Sequence, residues 1–102
     1  MDNKKIMAVI MGIITHSGDA KSHAMEAIKA AREGDFEKAD DSIKQAERAF
    51  VEAHHSQTAL LTKEAQGQKT EVSLLMVHAQ DHLMTSMTFT DLAKEIIFLH
   101  QK

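Results

Sequence analysis

The 102-residue sequence predicts an all-α fold, an antiparallel three-helix bundle spanning 1–102 as a single domain. Apolar residues recur at alternating spacings of three and four, the mark of a helical seam, and no segment shows the period of two that a half-buried strand requires. Proline is absent, so nothing of that kind interrupts the periodic stretches. Gly34 and Gly67 divide the chain into thirds, each long enough for one helix, and glycine takes the left-handed backbone conformation that ends helices. A chain of this length holds apolar surface for one core and not for two.

In the first third, Lys4 and Lys5 precede the apolar run "IMAVIMGII" (6–14) in the manner of a signal peptide. The run is shorter than the roughly 20 residues that cross a bilayer. The following "THSGDAKS" offers no clean small-x-small cleavage site. The segment therefore reads as the first turns of a helix buried from more than one side, with no direct insertion into a membrane. Ser17, Gly18 and Asp19 interrupt the pattern and predict a kink or break near Ser17-Gly18, after which Ala20, Ala24, Met25, Ile28 and Ala31 resume it.

The second helix follows Asp35, a suitable N-cap, and its seam runs through Phe36, Ala39, Ile43, Ala46, Phe50, Ala53, the polar Gln57 and Leu60. After Gly67, Thr70 can cap the third helix and Glu71 suits its positive end. This helix carries two seams. One runs Val72, Leu75, Ala79, His82, Ser86, Phe89, Ala93, Ile96, the other Leu74, His78, Asp81, Thr85, Thr88, Leu92, Glu95, Leu99. A helix with two seams needs partners on two sides, which a lone three-helix hairpin hardly supplies, so the pattern predicts self-association.

Composition excludes several functions. The formal charge of −3 leaves no basic excess for phosphates and four phenylalanines make no base-stacking platform, so nucleic acid is not an expected partner. Cysteine is absent, which removes disulfides, thiolate metal sites and thiol nucleophiles and suits the cytoplasm.

The segment "SLLMVHAQDHLMTS" (73–86) sets titratable groups among leucine, methionine and valine. His78, Asp81 and His82 stand at i, i+3 and i+4, so a helix places them on one face with Cβ atoms roughly 5 to 6 Å apart. Gln80 points elsewhere, toward a neighbouring helix or solvent. A histidine in such a cluster can accept a phosphoryl group through a neutral ring nitrogen, bind a metal through the same lone pair, or shuttle protons. A lone histidine on an apolar helix is more often a hydrogen-bonded core residue, but three clustered polar groups weaken that reading, because each needs a partner when buried. Hydrolytic zinc chemistry would want the glutamate of H-E-x-x-H, which is missing, and no G-x-S-x-G elbow occurs. His54 and His55 adjoin the second seam, one of them placed to face the third helix, and His16, His23 and His100 are expected at the surface.

"VSLLMVHAQDHLMTSM" (72–87) strongly resembles the active-site helix of the enzyme IIA component of the lactose/cellobiose class, chitobiose type included, of the bacterial phosphoenolpyruvate-dependent sugar phosphotransferase system. "MGIITHSGDAKSHAMEAIKAAREGDFEKA" is similar to that family's first hairpin and "EAHHSQTALLTKEAQG" to its second helix and loop, so the likeness covers nearly the whole chain. The resemblance implies a cytoplasmic phosphotransferase component, a three-helix bundle that forms a homotrimer through its third helices. It implies that His78 accepts a phosphoryl group from HPr and passes it to a cysteine of the cognate IIB, which works with the membrane IIC in sugar uptake. Gln80 and His82 would line the site, and Asp81 near the threefold axis would hold one Mg2+ or other divalent cation per trimer. The doubled histidine of "EAHHSQT" departs from the family pattern and leaves open which of His54 and His55 faces the site. Two other readings stand beside this one. A two-component histidine-phosphotransfer domain would show lysine and glycine soon after its histidine, where this chain has "HAQDH", and the other is a non-catalytic metal-binding helical oligomer.

Overall fold

The computed structural model describes residues 3–102, which form three long helices: α1 (Asn3–Arg32), α2 (Phe36–Ala65) and α3 (Leu74–Gln101). They make a rod of 50 × 20 × 20 Å, as helices of about 45 Å laid side by side should. α1 packs extensively on both partners, whereas α2 and α3 touch each other much less. Among the described residues no helix is long and apolar enough to cross a membrane.

The two glycine turns share one geometry. Gly34 and Gly67 have φ of 83° and 87°. At the first, Gly34 N–H donates to the Ala31 carbonyl (3.0 Å) and Asp35 N–H to that of Ala30 (2.9 Å). At the second, Gly67 donates to Glu64 (3.0 Å) and Gln68 to Lys63 (3.0 Å). This paired pattern satisfies the last carbonyls of a helix and requires the left-handed residue that glycine supplies. Asp35 then caps α2, its carboxylate accepting from Lys38 N–H at 3.1 Å.

One expectation needs correction and another is narrowed. The cap of α3 is Ser73, not Thr70: its hydroxyl accepts from Met76 N–H at 3.1 Å, in extended backbone, and Val72 lies exposed outside the helix. Serine is the stronger N-cap of the two, and it adjoins the first turn of the apolar run. Of the kink or break expected near Ser17-Gly18, the break does not occur: α1 continues as helix through Ser17, Gly18 and Asp19. Ser17 is fully buried against α3, where its carbonyl accepts the Ser86 hydroxyl at 2.7 Å, so the polar interruption is an interhelical contact.

The core has two parts. One joins Ile10 and Ile13 of α1, Ala53 and Leu60 of α2, and Met76, Ala79 and Leu83 of α3. The other is rich in alanine, with Ala24, Ala27 and Ala31 set against Ala39, Ile43, Ala46, Ala93 and Ile97. The first half of α1 thus meets the first half of α3, so these two run in the same direction while α2 runs against both. Side chains this small let helix axes approach closely, and the approach draws Ser17 and Ser86 into contact.

α3 buries Met76, Ala79, Leu83, Ser86, Thr90, Ala93 and Ile97. Residues 75, 82, 89 and 96 of its first sequence seam lie at the edge of that face, half-buried. Every residue of its second seam, from Leu74 to Leu99, is exposed in the single chain. α3 is the most apolar of the three helices and the least one-sided.

Candidate functional site

The first half of α3 carries the cluster, held in register by the Ser73 cap at its start and by Leu83, which is fully buried against α1 and α2. His78 and Asp81 are exposed on the ridge, and His82 is half-buried one turn after His78. The two imidazoles pack edge to face, with centroids 4.5 Å apart and planes at 81°. Helical spacing therefore does bring His78 and His82 into contact. His82 Nδ1 is buried without a hydrogen-bond partner. Burial lowers the His82 pKa from its ordinary value, helped by the charges of Lys21 and His78 and opposed by that of Asp81. His82 is therefore a neutral ring at pH 7, with one N–H to give and one lone pair to receive.

Gln80, half-buried, points toward α2, where its Oε1 accepts from Gln57 Nε2 at 2.6 Å. Gln57 is the neighbour of the candidate site that sequence reasoning passed over. Its signal was available, since it is the one polar residue in an otherwise apolar α2 seam. His54 and His55 are both exposed, with His54 resting 5.9 Å from the Phe50 ring. Of the histidines expected at the surface, His100 is exposed, whereas His16 and His23 are half-buried.

Around the cluster the surface is apolar. Leu74 is 85% exposed, Val77 51% and Met84 41%, which is far more than a helix facing only water would present. Further along α3, Thr85 donates to the carbonyls of Asp81 (2.8 Å) and His82 (3.3 Å). Two grooves meet at Thr85. One, of about 520 Å³, is lined by Lys21, Ser22 and Met25 of α1 with Thr85 and Phe89; the other, of about 380 Å³, runs along α3 through Met84, Thr88 and Leu92. The arrangement offers an exposed imidazole, a neutral imidazole behind it, and docking surface on either side. That suits nucleophilic acceptance of a group carried in by another protein.

Comparison with known proteins identifies the family. The family described as PTS system, lactose/cellobiose specific IIA subunit, matches residues 8–101. The lichenan-specific phosphotransferase enzyme IIA component of Bacillus subtilis strain 168 is 51% identical over 98% of this chain and 91% of its own length. The crystal structure of the cellobiose-specific enzyme IIA from Bacillus anthracis, 44% identical, superposes with a TM-score of 0.93 over 99% of this chain and 91% of that one. The IIA(chitobiose) of the Escherichia coli phosphotransferase system, solved in complex with HPr, is 46% identical with a TM-score of 0.82, over 94% and 93% of the two chains. A match of this extent, on a bundle that exposes a histidine from its third helix, means that the chain belongs to the lactose/cellobiose-specific IIA family and is a phosphotransferase component of the sugar phosphotransferase system.

Proposed function

We propose that the chain is a single IIA domain in the cytoplasm whose His78 accepts a phosphoryl group from phospho-HPr and passes it to a cysteine of a cognate IIB, during uptake of a lactose-, cellobiose- or chitobiose-type sugar through IIC. The observation that carries this reading is the exposed His78 ring, braced at 4.5 Å by the neutral His82 and set among exposed Leu74, Val77 and Met84. Transfer asks for a positioned nucleophile and for charge compensation, with little other covalent work. The lone pair of a neutral His78 nitrogen attacks phosphorus, and the bond to the donor's leaving atom breaks with its electron pair going to the donor. The reverse sequence delivers the group to the IIB thiolate. His82 orients the acceptor ring and can hydrogen-bond a phosphoryl oxygen, while Gln80, tied to Gln57, fixes the backbone turn between them. The apolar rim lets successive partners exclude the water that would hydrolyse the adduct.

The assembly belongs to the same proposal. The exposed second seam of α3 is the surface that a homotrimer would bury, and Asp81 lies on it. Among the described residues of one chain no three His, Cys, Asp or Glu side chains converge to hold a metal. Three Asp81 carboxylates from three chains would supply hard oxygen donors that suit Mg2+ or a similar cation, which would neutralise their mutual repulsion.

Incubation with phosphoenolpyruvate, enzyme I and HPr tests the function. One acid-labile phosphoryl per chain should appear, and His78→Ala should keep the fold and take up none. Label persisting in His78→Ala would move the acceptor to His82 or His54.

A further inference from the structure

Two rows of residues flank the groove between α1 and α3, and both lead along it to the histidine pair. On α3, His78, His82, Thr85 and Phe89 follow one another at spacings of four, three and four, which is one edge of a helix. Thr85 and Phe89 wall the groove against Ser22 and Met25 of α1. On α1, Met7, Met11, Ile14 and Gly18 repeat the spacings of four, three and four, and Ser22 continues the row into that groove. The Ser86 hydroxyl on the Ser17 carbonyl fixes the register of the two helices, and Ile10 and Ile13 agree with it by sharing a cluster with Met76, Ala79 and Leu83. Met7 then lies level with Met76 and Met11 with Gln80, so the two methionines bracket His78 along the bundle. Packed helix axes are about 8 to 10 Å apart, which keeps both within one helix diameter of the acceptor ring.

This row is open. Met7 is 48% and Met11 46% exposed, and Ile14 is half-buried. Gly18 stands in the middle of α1, where glycine costs stability relative to alanine and calls for a reason in packing or function. A Cβ at Gly18 would meet nothing within 4 Å, so the single chain gives no packing reason for it.

We propose that the face of α1 formed by Met7, Met11, Ile14 and Gly18 is the docking surface for HPr, with Gly18 leaving room for the donor to approach the helix backbone. The proposal rests on His78 as the acceptor. A donor that brings phosphorus to the His78 ring must also cover what stands beside that ring, and the α1 row stands beside it. The occupant has to be one that leaves, because a second copy seated there permanently would close off the acceptor. Methionine suits such a contact, since its unbranched, polarisable side chain repacks against what it meets. The row runs about 16 Å along α1, well inside the footprint of about 800 Å² per partner of a specific contact.

The test compares the wild type with Met11→Lys, Gly18→Lys, Met11→Leu and His78→Ala. Initial rates of transfer from phospho-HPr are measured against its concentration, with helicity and assembly state followed by circular dichroism and sedimentation. Met11→Lys and Gly18→Lys should each raise KM by about tenfold with kcat within about threefold of wild type, and Met11→Leu should stay within about twofold in both. In the wild type, the ε-methyl NMR signals of Met7 and Met11 should shift as unphosphorylated HPr is added. Label confined to His78, with KM within about twofold of wild type in both lysine variants or with both methyl signals unmoved by HPr, would overturn the docking face alone. Lysine variants with an altered assembly state would overturn it by giving the face to a second copy, and a defect confined to onward transfer to IIB would overturn it by giving the face to that partner. Label retained by His78→Ala would overturn the acceptor assignment and this proposal with it.

Discussion

Replacing Ser17 by alanine should stabilise the protein. Ser17 is fully buried, and its Oγ has no hydrogen-bond partner, although its carbonyl accepts from Ser86 at 2.7 Å. Burying an unpaired hydroxyl costs about 1 to 3 kcal/mol by mutational data, and alanine is the better helix former by up to about 0.7 kcal/mol. Against this stands a void of one oxygen atom, smaller than a methyl group, worth up to about 1 kcal/mol. The net gain expected is about 1 to 2 kcal/mol. For a chain near 100 residues each kcal/mol moves Tm by about 4 to 8 °C. Thermal melts and urea titrations at one fixed protein concentration measure it, with an unchanged m value confirming that the unfolded state is the same. Ser86→Ala is the contrasting variant, since it removes a donor that is satisfied, and it should lose about 1 kcal/mol. A Ser17→Ala protein less stable than wild type by about 1 kcal/mol or more would refute the reasoning, because the Oγ would then have to be bonded, as serine hydroxyls in helices do to a carbonyl of their own helix.

Three further outcomes follow from the same structure. Gly34→Ala should lose about 1 to 2 kcal/mol in urea unfolding, because open space around the residue leaves its φ of 83° as the whole penalty; an unaffected midpoint would contradict the turn geometry. His82 is held below its ordinary pKa of 6.5 in the folded chain, so the unfolded chain takes the proton more readily and stability falls as pH drops below 6.5 toward the folded value. His82→Gln should flatten the stability profile below about pH 6.5 and slow phosphoryl transfer at one phosphoryl per chain, and an unaltered profile would count against a neutral half-buried ring. Asp81→Leu should raise Tm and remove any magnesium dependence of assembly, since carboxylates about 4 Å apart repel by roughly 4 kcal/mol per pair at an effective dielectric near 20. A less stable Asp81→Leu protein in sedimentation and melts with and without chelator would sink the placement of Asp81 between chains.

The bundle was legible because its signals are local. Gly34 and Gly67 mark turns through a backbone conformation that glycine adopts without strain, and Asp35 caps through its own side chain, so each could be read within a few residues. The histidine pair of the candidate site was legible for the same reason: i, i+4 spacing alone brings His78 and His82 together. What escaped depends on a second helix. Ser17 looked like a defect of α1, and only Ser86, 69 residues away, turns it into a contact. Gln57 looked like a lapse in the α2 seam until Gln80 appeared opposite. The start of α3 was misplaced for a different reason, since threonine and serine offer similar hydroxyls and the choice fell to which one the chain holds extended at the helix mouth.

The second seam of α3 joins fold to function. A helix that needed only to complete a bundle could make its outward face polar, as α2 does with its acids and lysines. α3 instead exposes Leu74, Leu92 and Leu99 on the line that carries His78 and Asp81. The ring proposed to meet two successive partners therefore lies on the surface that the proposed trimer would draw together. In that proposed trimer His78 would have to stay reachable at the edge of the contact, while Asp81, three residues on, would turn into it. An offset of three residues on one helix is enough to separate them: about 60° of arc and about 4.5 Å of rise would put one residue at the rim of the proposed trimer and the other at its seam. A carboxylate at the seam weakens the very contact that the leucines favour. That opposition is understandable if the assembly serves to shape the acceptor's surroundings, since a face built for stability alone would carry another leucine at residue 81.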